Sequence, residues 1–123
     1  RMLPESGSAE RTRSLLFTGA SASLRGRAGF GAFNSSKAAL RNLAMAMAKE
    51  YGPAGLHVGH VVVDGGIAGD RIIRGVPRYV ERVGGIEGLI DLEGLADVFW
   101  YLHQQPRAAW TFELDVRTDR ESW

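Results

Sequence analysis

Strong helix formers run without a break over residues 34–51, and Leu40, Leu43, Met47 and Tyr51 recur at i, i+3, i+7 and i+11. That spacing predicts an amphipathic helix whose apolar stripe faces a core. Ala38, Ala39, Ala44, Ala46 and Ala48 give the helix a smooth surface on which another helix can pack closely. Gly52 stands where a left-handed cap is wanted and Pro53 blocks continuation, so the end of the helix is well marked.

Short apolar runs flank this helix. Residues 14–20, SLLFTGA, are closed by a glycine and read as a buried strand, followed by a glycine-punctuated loop. Residues 56–63, LHVGHVVV, form a near-continuous β-branched run, as expected of a strand covered on both faces in a parallel sheet. A strand, helix, strand order of these lengths implies a right-handed crossover. Residues 64–90 are rich in glycine and arginine; one short helix is predicted around residues 79–83, and this segment is expected to be the most mobile. Leu95, Val98, Phe99 and Leu102 space a second long helix capped by Asp91. In WTFELDV, Phe112, Leu114 and Val116 alternate with Glu113 and Asp115, which predicts an edge strand with one wet face and places both carboxylates among solvated charges.

The order β-α-β-loop-α-β predicts an α/β fold: the C-terminal half of a Rossmann-like doubly wound parallel sheet, with about three strands and two main helices. Residues 1–13 read as a surface connector, 14–117 as the partial Rossmann-like domain and 118–123 as a C-terminal tail. So small a sheet leaves its first strand with an open edge unless something covers it. An arginine in first position suggests a cut product or an excised piece.

Composition changes this picture little. The 123 residues are 45% hydrophobic and 24% charged, which is ordinary globular usage, and suffice for one domain. A net charge of +1 with dispersed arginines argues against nucleic-acid binding. Cysteine is absent, which removes disulfides, thiolate zinc sites and thiol nucleophiles. No apolar run approaches the roughly 20 residues that span a bilayer, so a soluble, cytoplasmic protein without a membrane partner is expected. His57 and His60, three apart on a strand, point to opposite faces and do not readily share a metal, so no metal is expected. His103 falls at a helix end, where the dipole favours it.

From LRGRAGFGAFNSSKAALRNLAMAMAKEYGPAGLHVGHVVVDGG to LADVFWYLHQQPRAAWTFELDV, the chain resembles the short-chain dehydrogenase/reductase family over nearly all of residues 14–117. The resemblance covers only the second half of such a protein. The family's glycine-rich dinucleotide turn would precede Arg1, so it implies NAD or NADP in a full-length parent, with none expected for this chain alone. The family holds its substrate oxygen with a serine, moves the proton with a tyrosine, and uses a lysine four residues after the tyrosine to lower its pKa and bind the nicotinamide ribose. Lys37 matches the lysine. Phe33 occupies the tyrosine position and Ala20 the serine position, so both groups that would touch the substrate oxygen are replaced, and a general acid without a proton has no role.

Ser21, Ser23, Ser35 and Ser36 lie nearby. They read as loop and cap serines, displaced by strand alternation or by rotation about the helix. After the second strand, Gly65 and Ile67 match the backbone positions that meet nicotinamide, while Asp64 replaces a proline and Gly69 a threonine. The resemblance thus implies Lys37, Gly65 and Ile67 as cofactor-binding residues, and a chain inactive as it stands. Its partners would be a second copy, paired through the 34–51 helix, or a missing N-terminal half. A non-catalytic dimerisation or ligand-binding module on the same scaffold is the alternative. Arg71, Arg74, Arg78 and Arg82, at the position of the family's variable substrate lid, read as surface charges.

Overall fold

The computed structural model describes residues 13–121. Three parallel strands, β1 (Arg13–Ala20), β2 (Leu56–Asp64) and β3 (Glu113–Arg117), form one sheet in the order β1-β2-β3. The β1–β2 register runs from Arg13 opposite Leu56 to Ala20 opposite Val63, and β3 joins with Glu113 opposite His60 and Arg117 opposite Asp64. Every residue of β2 is buried, as its β-branched run requires of a central parallel strand. The outer edge of β1 has no strand beside it among the described residues.

Helix α1 (Gly31–Tyr51) crosses one face of the sheet. There Ala44, fully buried, meets Leu56 and Val58, with Leu15, Phe17, Met47, Ala48, Tyr51 and Phe112 around them. Helix α4 (Leu92–Gln104) covers the other face, where Leu95 and Leu102 pack with Val61, Val63 and Ile90. Asp91 accepts a hydrogen bond from the Gly94 amide at 2.7 Å and so caps α4 as its position predicts. Between β2 and α4 the chain makes two short helices, α2 (Asp70–Gly75) and α3 (Pro77–Arg82), where one was expected; Pro77 at the start of α3 separates them.

Several details depart from the sequence pattern. Leu43 is 53% exposed while its neighbour Ala44 is wholly buried. The face of α1 that meets the sheet is therefore Ala44, Met47, Ala48 and Tyr51, with spacings of three and four, and only a small side chain fits at its centre. Gly52 keeps right-handed helical angles, φ −54° and ψ −49°, and the left-handed turn falls three residues later at Gly55, φ 92°. The chain continues for one further turn before reversing because Gly55, not Gly52, directly precedes the strand. Phe112 lies before β3 and packs on the α1 side, away from Leu114 and Val116, which face α4. Glu113 is not solvated: α1 covers it and supplies a partner, whereas Asp115 is exposed and pairs with Arg117. The expected connector falls almost entirely, and the end of the tail at 122–123, outside the described residues. No described helix is long and apolar enough to cross a membrane.

Candidate functional site

The C-terminal ends of β1 and β2 and the first turns of α1 converge at one end of the sheet, where open α/β folds bind ligands. Lys37 sits two turns into α1, and its Nζ donates to the Thr18 carbonyl of β1 at 3.2 Å. The Phe33 ring lies one turn earlier, its centroid 6.0 Å from Nζ and half of its surface exposed. Lys37 and Phe33 thus share a face at the mouth of the site. Ala20 ends β1 beside them; its amide donates to Ser23 Oγ at 3.1 Å, so that hydroxyl serves the turn that follows the strand. Ser35 and Ser36 donate back to the carbonyls of Ala32 and Phe33 and are occupied within the helix.

The helix begins at Gly31, three residues before the sequence pattern shows it, and has no side-chain cap. Asn34 instead holds the preceding loop: its Oδ1 accepts from the Arg27 amide at 3.1 Å and its Nδ2 donates to the Arg25 carbonyl at 3.2 Å. Arg27 also stands over the Phe30 ring at 5.0 Å. An asparagine in the first turn after a glycine-rich loop is a signal for such bracing, and sequence reading passed over it.

Gly65 and Ile67 lie in the turn after β2. Gly65 has φ 138°, a conformation that favours glycine. Ile67 pairs as a parallel bridge with Ile90, and the Ala68 and Ile90 amides donate to the Ile90 and Gly66 carbonyls, each at 2.8 Å. From α3, Tyr79 accepts a hydrogen bond from the Gly66 amide at 3.0 Å, and a side chain at Gly66 would collide with its ring at 2.6 Å. The loop is therefore pinned from both sides. Asp64, in the proline position, is 5% exposed and pairs with Arg117 of β3 at 3.1 Å and with Arg25 at 3.7 Å, tying the loop after β1 to the third strand. With Arg25, Phe30, Phe33, Asn34 and Glu121 it borders a cavity of about 350 Å³.

Behind the site lies a polar network between α1 and the sheet. Arg41 donates to Glu113 through Nε at 2.7 Å and Nη2 at 3.1 Å, and His60 Nδ1 lies 3.0 Å from the same carboxylate. The hydrogen bond from Arg41, offset in part by burial and joined by the one to His60, holds the Glu113 carboxyl below its usual range; the Arg41 guanidinium is raised in turn. His60 has no exposed surface. His57, on the opposite face, stacks on Trp110 at 4.9 Å and bonds the Thr111 carbonyl through Nε2 at 2.8 Å. His103, near the end of α4, pairs through Nδ1 with Ser14 Oγ at 2.6 Å. Among the described residues no group of three or more histidine and acidic side chains is arranged to hold a metal ion.

These features define half of a Rossmann-like α/β unit with its ligand edge at the ends of β1 and β2. No protein-family profile matches the chain, and no curated protein matches its sequence. Solved structures do match. A short-chain dehydrogenase from Rhodopseudomonas palustris is 37% identical, with a TM-score of 0.61 over 89% of this chain and 40% of its own. A closed serine dehydrogenase complexed with NADP+ gives 0.73 at 15% identity over 95% and 49%. An NADPH-bound short-chain oxidoreductase from Pseudomonas aeruginosa PAO1, described as containing an atypical catalytic center, gives 0.69 at 15% identity over 87% and 45%. The latter two show the fold alone. The chain is thus similar to short-chain dehydrogenases over most of its own length, and it spans under half the length of each of these structures.

Proposed function

We propose that this chain forms the nicotinamide-side half of an NAD(P)-linked, short-chain dehydrogenase/reductase-like protein that keeps the ribose-binding lysine and has lost the serine–tyrosine proton chemistry. The observation that carries the reading is the pairing of Phe33 with Lys37, one turn apart and 6.0 Å from ring centroid to Nζ, with Ala20 at the strand end. The residues present fit the nicotinamide side of such a cofactor. Lys37 has a side chain that reaches the mouth, and Gly65 offers backbone with no Cβ in the way. Bound there, the cofactor would supply hydride chemistry; Lys37 would orient its ribose, and Phe33 would exclude water without giving or taking a proton.

The test uses the longest natural product that contains this sequence. NADPH binding followed by fluorescence is expected, weakened at least tenfold by Lys37→Ala, with no reduction across a panel of carbonyl compounds. Ala20→Ser together with Phe33→Tyr is expected to create NADPH-dependent carbonyl reduction. Turnover by the unmodified protein would overturn the reading. The 123-residue chain alone is expected to bind NADPH only weakly, and stoichiometric tight binding would count against the division of labour proposed.

One observation favours a second reading, a pairing module. Of the 21 residues of α1 only Ala44 is buried, and Leu43 lies exposed beside Ala39 and Ala46. A second copy of the same helix, whose small residues allow close approach, fits that surface. This reading predicts a concentration-dependent dimer in analytical ultracentrifugation that Leu43→Glu abolishes; a monomer at all concentrations refutes it.

A further inference from the structure

The loop between β1 and α1, residues 24–30, is exposed throughout and contains no helix or strand, yet it is held in place. Asn34, in the first turn of α1, accepts from the Arg27 amide and donates to the Arg25 carbonyl, so one side chain fixes the backbone at both arginines. A clamp on exposed backbone adds little to stability, because water offers the same groups comparable bonds; what it does is place two guanidinium groups. Both arginines border one cavity of about 350 Å³, together with Phe30, Phe33 and Glu121. Neither guanidinium is committed. Arg25 Nη2 stands 3.7 Å from Asp64, beyond hydrogen-bond reach, and Asp64 has a closer partner in Arg117 at 3.1 Å. Arg27 stands over the Phe30 ring at 5.0 Å, a contact that leaves its side-chain N–H groups without an acceptor among the described residues. Charge is out of balance in the same sense: Arg117 offsets Asp64, Glu121 offsets one of the two arginines, and one positive charge remains. Asp115, the other partner of Arg117, is exposed and lies outside the cavity.

We propose that Arg25 and Arg27, positioned by Asn34, form a carboxylate-binding pair beside Phe33, and that the ligand taken here is a small monocarboxylate with a flat apolar body. A planar guanidinium presents parallel N–H donors that match the two oxygens of a carboxylate. Phe30 and Phe33, each about half exposed at the cavity wall, offer the body of the ligand a flat apolar surface and no hydrogen bond. A single negative charge balances the cavity. A dianion would meet Glu121 uncompensated, and a neutral carbonyl compound would leave the guanidinium groups unanswered. The inference names the ligand class of the site and rests on the proposed function for what becomes of that ligand. Binding itself needs no nicotinamide, so failure of this inference and failure of that reading are distinguishable.

The test is an NMR titration of the longest natural product that contains this sequence, 15N-labelled and free of cofactor, with benzoate, benzamide and inorganic phosphate as probes. Benzoate is expected to shift the backbone amides of residues 25–34 along a saturable curve. It should bind at least about fivefold more tightly than phosphate, which lacks the flat body, and than benzamide, which keeps the shape without the charge. Arg25→Gln and Arg27→Gln should each weaken benzoate by about fivefold, while Arg71→Gln, which removes the same charge from the exposed start of α2, should leave it unchanged. Asn34→Ala is expected to weaken benzoate and leave benzamide unmoved, which separates placement of the arginines from a general loss of structure. Equal binding of benzoate and benzamide, tighter binding of phosphate, or no binding of any probe overturns the proposal, and each of these is read on the unmodified protein. An effect of Arg71→Gln as large as that of Arg25→Gln also overturns it, because the attraction would then belong to the whole surface and not to the pair.

Discussion

Replacing Arg41 with methionine keeps most of the aliphatic cover over the sheet and removes the guanidinium that holds Glu113. Two hydrogen bonds disappear, at 2.7 and 3.1 Å, each charge-assisted. A fully buried pair would lose about 3–5 kcal/mol and a surface pair under 1. With the Arg41 and Glu113 side chains 33% and 23% exposed, the cost lies between, about 2 kcal/mol at pH 7. The dependence on pH follows from Glu113, whose carboxyl is held below its usual value in the folded chain, chiefly by Arg41. A depressed folded value stabilises above the unfolded glutamate pKa, about 4.3, and that contribution is lost as pH falls through the folded value. Arg41→Met should therefore cost a constant amount above about pH 5 and progressively less below it. In urea unfolding, with a slope of about 2 kcal/mol/M, the midpoint should fall by about 1 M at pH 7 and by less at pH 2.5. An equal shift at both pH values would show that Arg41 acts through packing and not through the ion pair.

Two further substitutions check the packing beneath the site. Gly19→Ala would place a methyl group 2.1 Å from His60 Nε2 and should destabilise the fold by about 2–3 kcal/mol in the same urea assay, while Gly26→Ala, with nothing within 4 Å, should change it by no more than about 0.5 kcal/mol. Asp91→Ala removes the acceptor for the Gly94 amide and should cost about 1 kcal/mol, seen as faster amide exchange confined to the first turn of α4.

The features legible in the sequence were those set by local pattern. The unbroken β-branched run of β2, the cap at Asp91 and the helix formers of α1 each depend on neighbours within one or two turns; β2 and the cap stand where the pattern puts them, and α1 covers residues 34–51 but starts three residues earlier, at Gly31. What stayed hidden depends on distant partners. Leu43 and Ala44 are adjacent, and only the position of β2 beneath the helix decides which is buried. Glu113 looks like a wet-face carboxylate until Arg41, 72 residues away, is brought over it. Gly52 and Gly55 both follow the helix, and the tertiary path alone selects the latter for the left-handed turn. At the site, that Lys37 and Phe33 share a face was readable from their one-turn spacing, while the roles expected of them and of Ala20 came from the family resemblance; the bracing by Asn34 and the burial of His60 were not readable.

The two faces of the sheet differ in a way that bears on the site. Under α4 the contacts are apolar, from Val61 and Val63 to Leu95 and Leu102, and such surfaces tolerate small shifts with little change in energy. Under α1 the apolar cluster around Ala44, Leu56 and Val58 is joined by two polar cross-strand pairs, His60 with Glu113 and Asp64 with Arg117. The apolar anchorage of helix α1 lies in its second half, at Ala44, Met47, Ala48 and Tyr51, so Arg41 to Glu113 and Lys37 to Thr18 orient its first half. Lys37 and Arg41 are four residues apart and stand on one face, so the ion pair that orients the middle of the helix also sets the height of the lysine and, one turn earlier, of Phe33. Loss of the Arg41 bond should then loosen the site before it unfolds the domain, because the first half of the helix would keep only the Lys37–Thr18 bond of these two restraints.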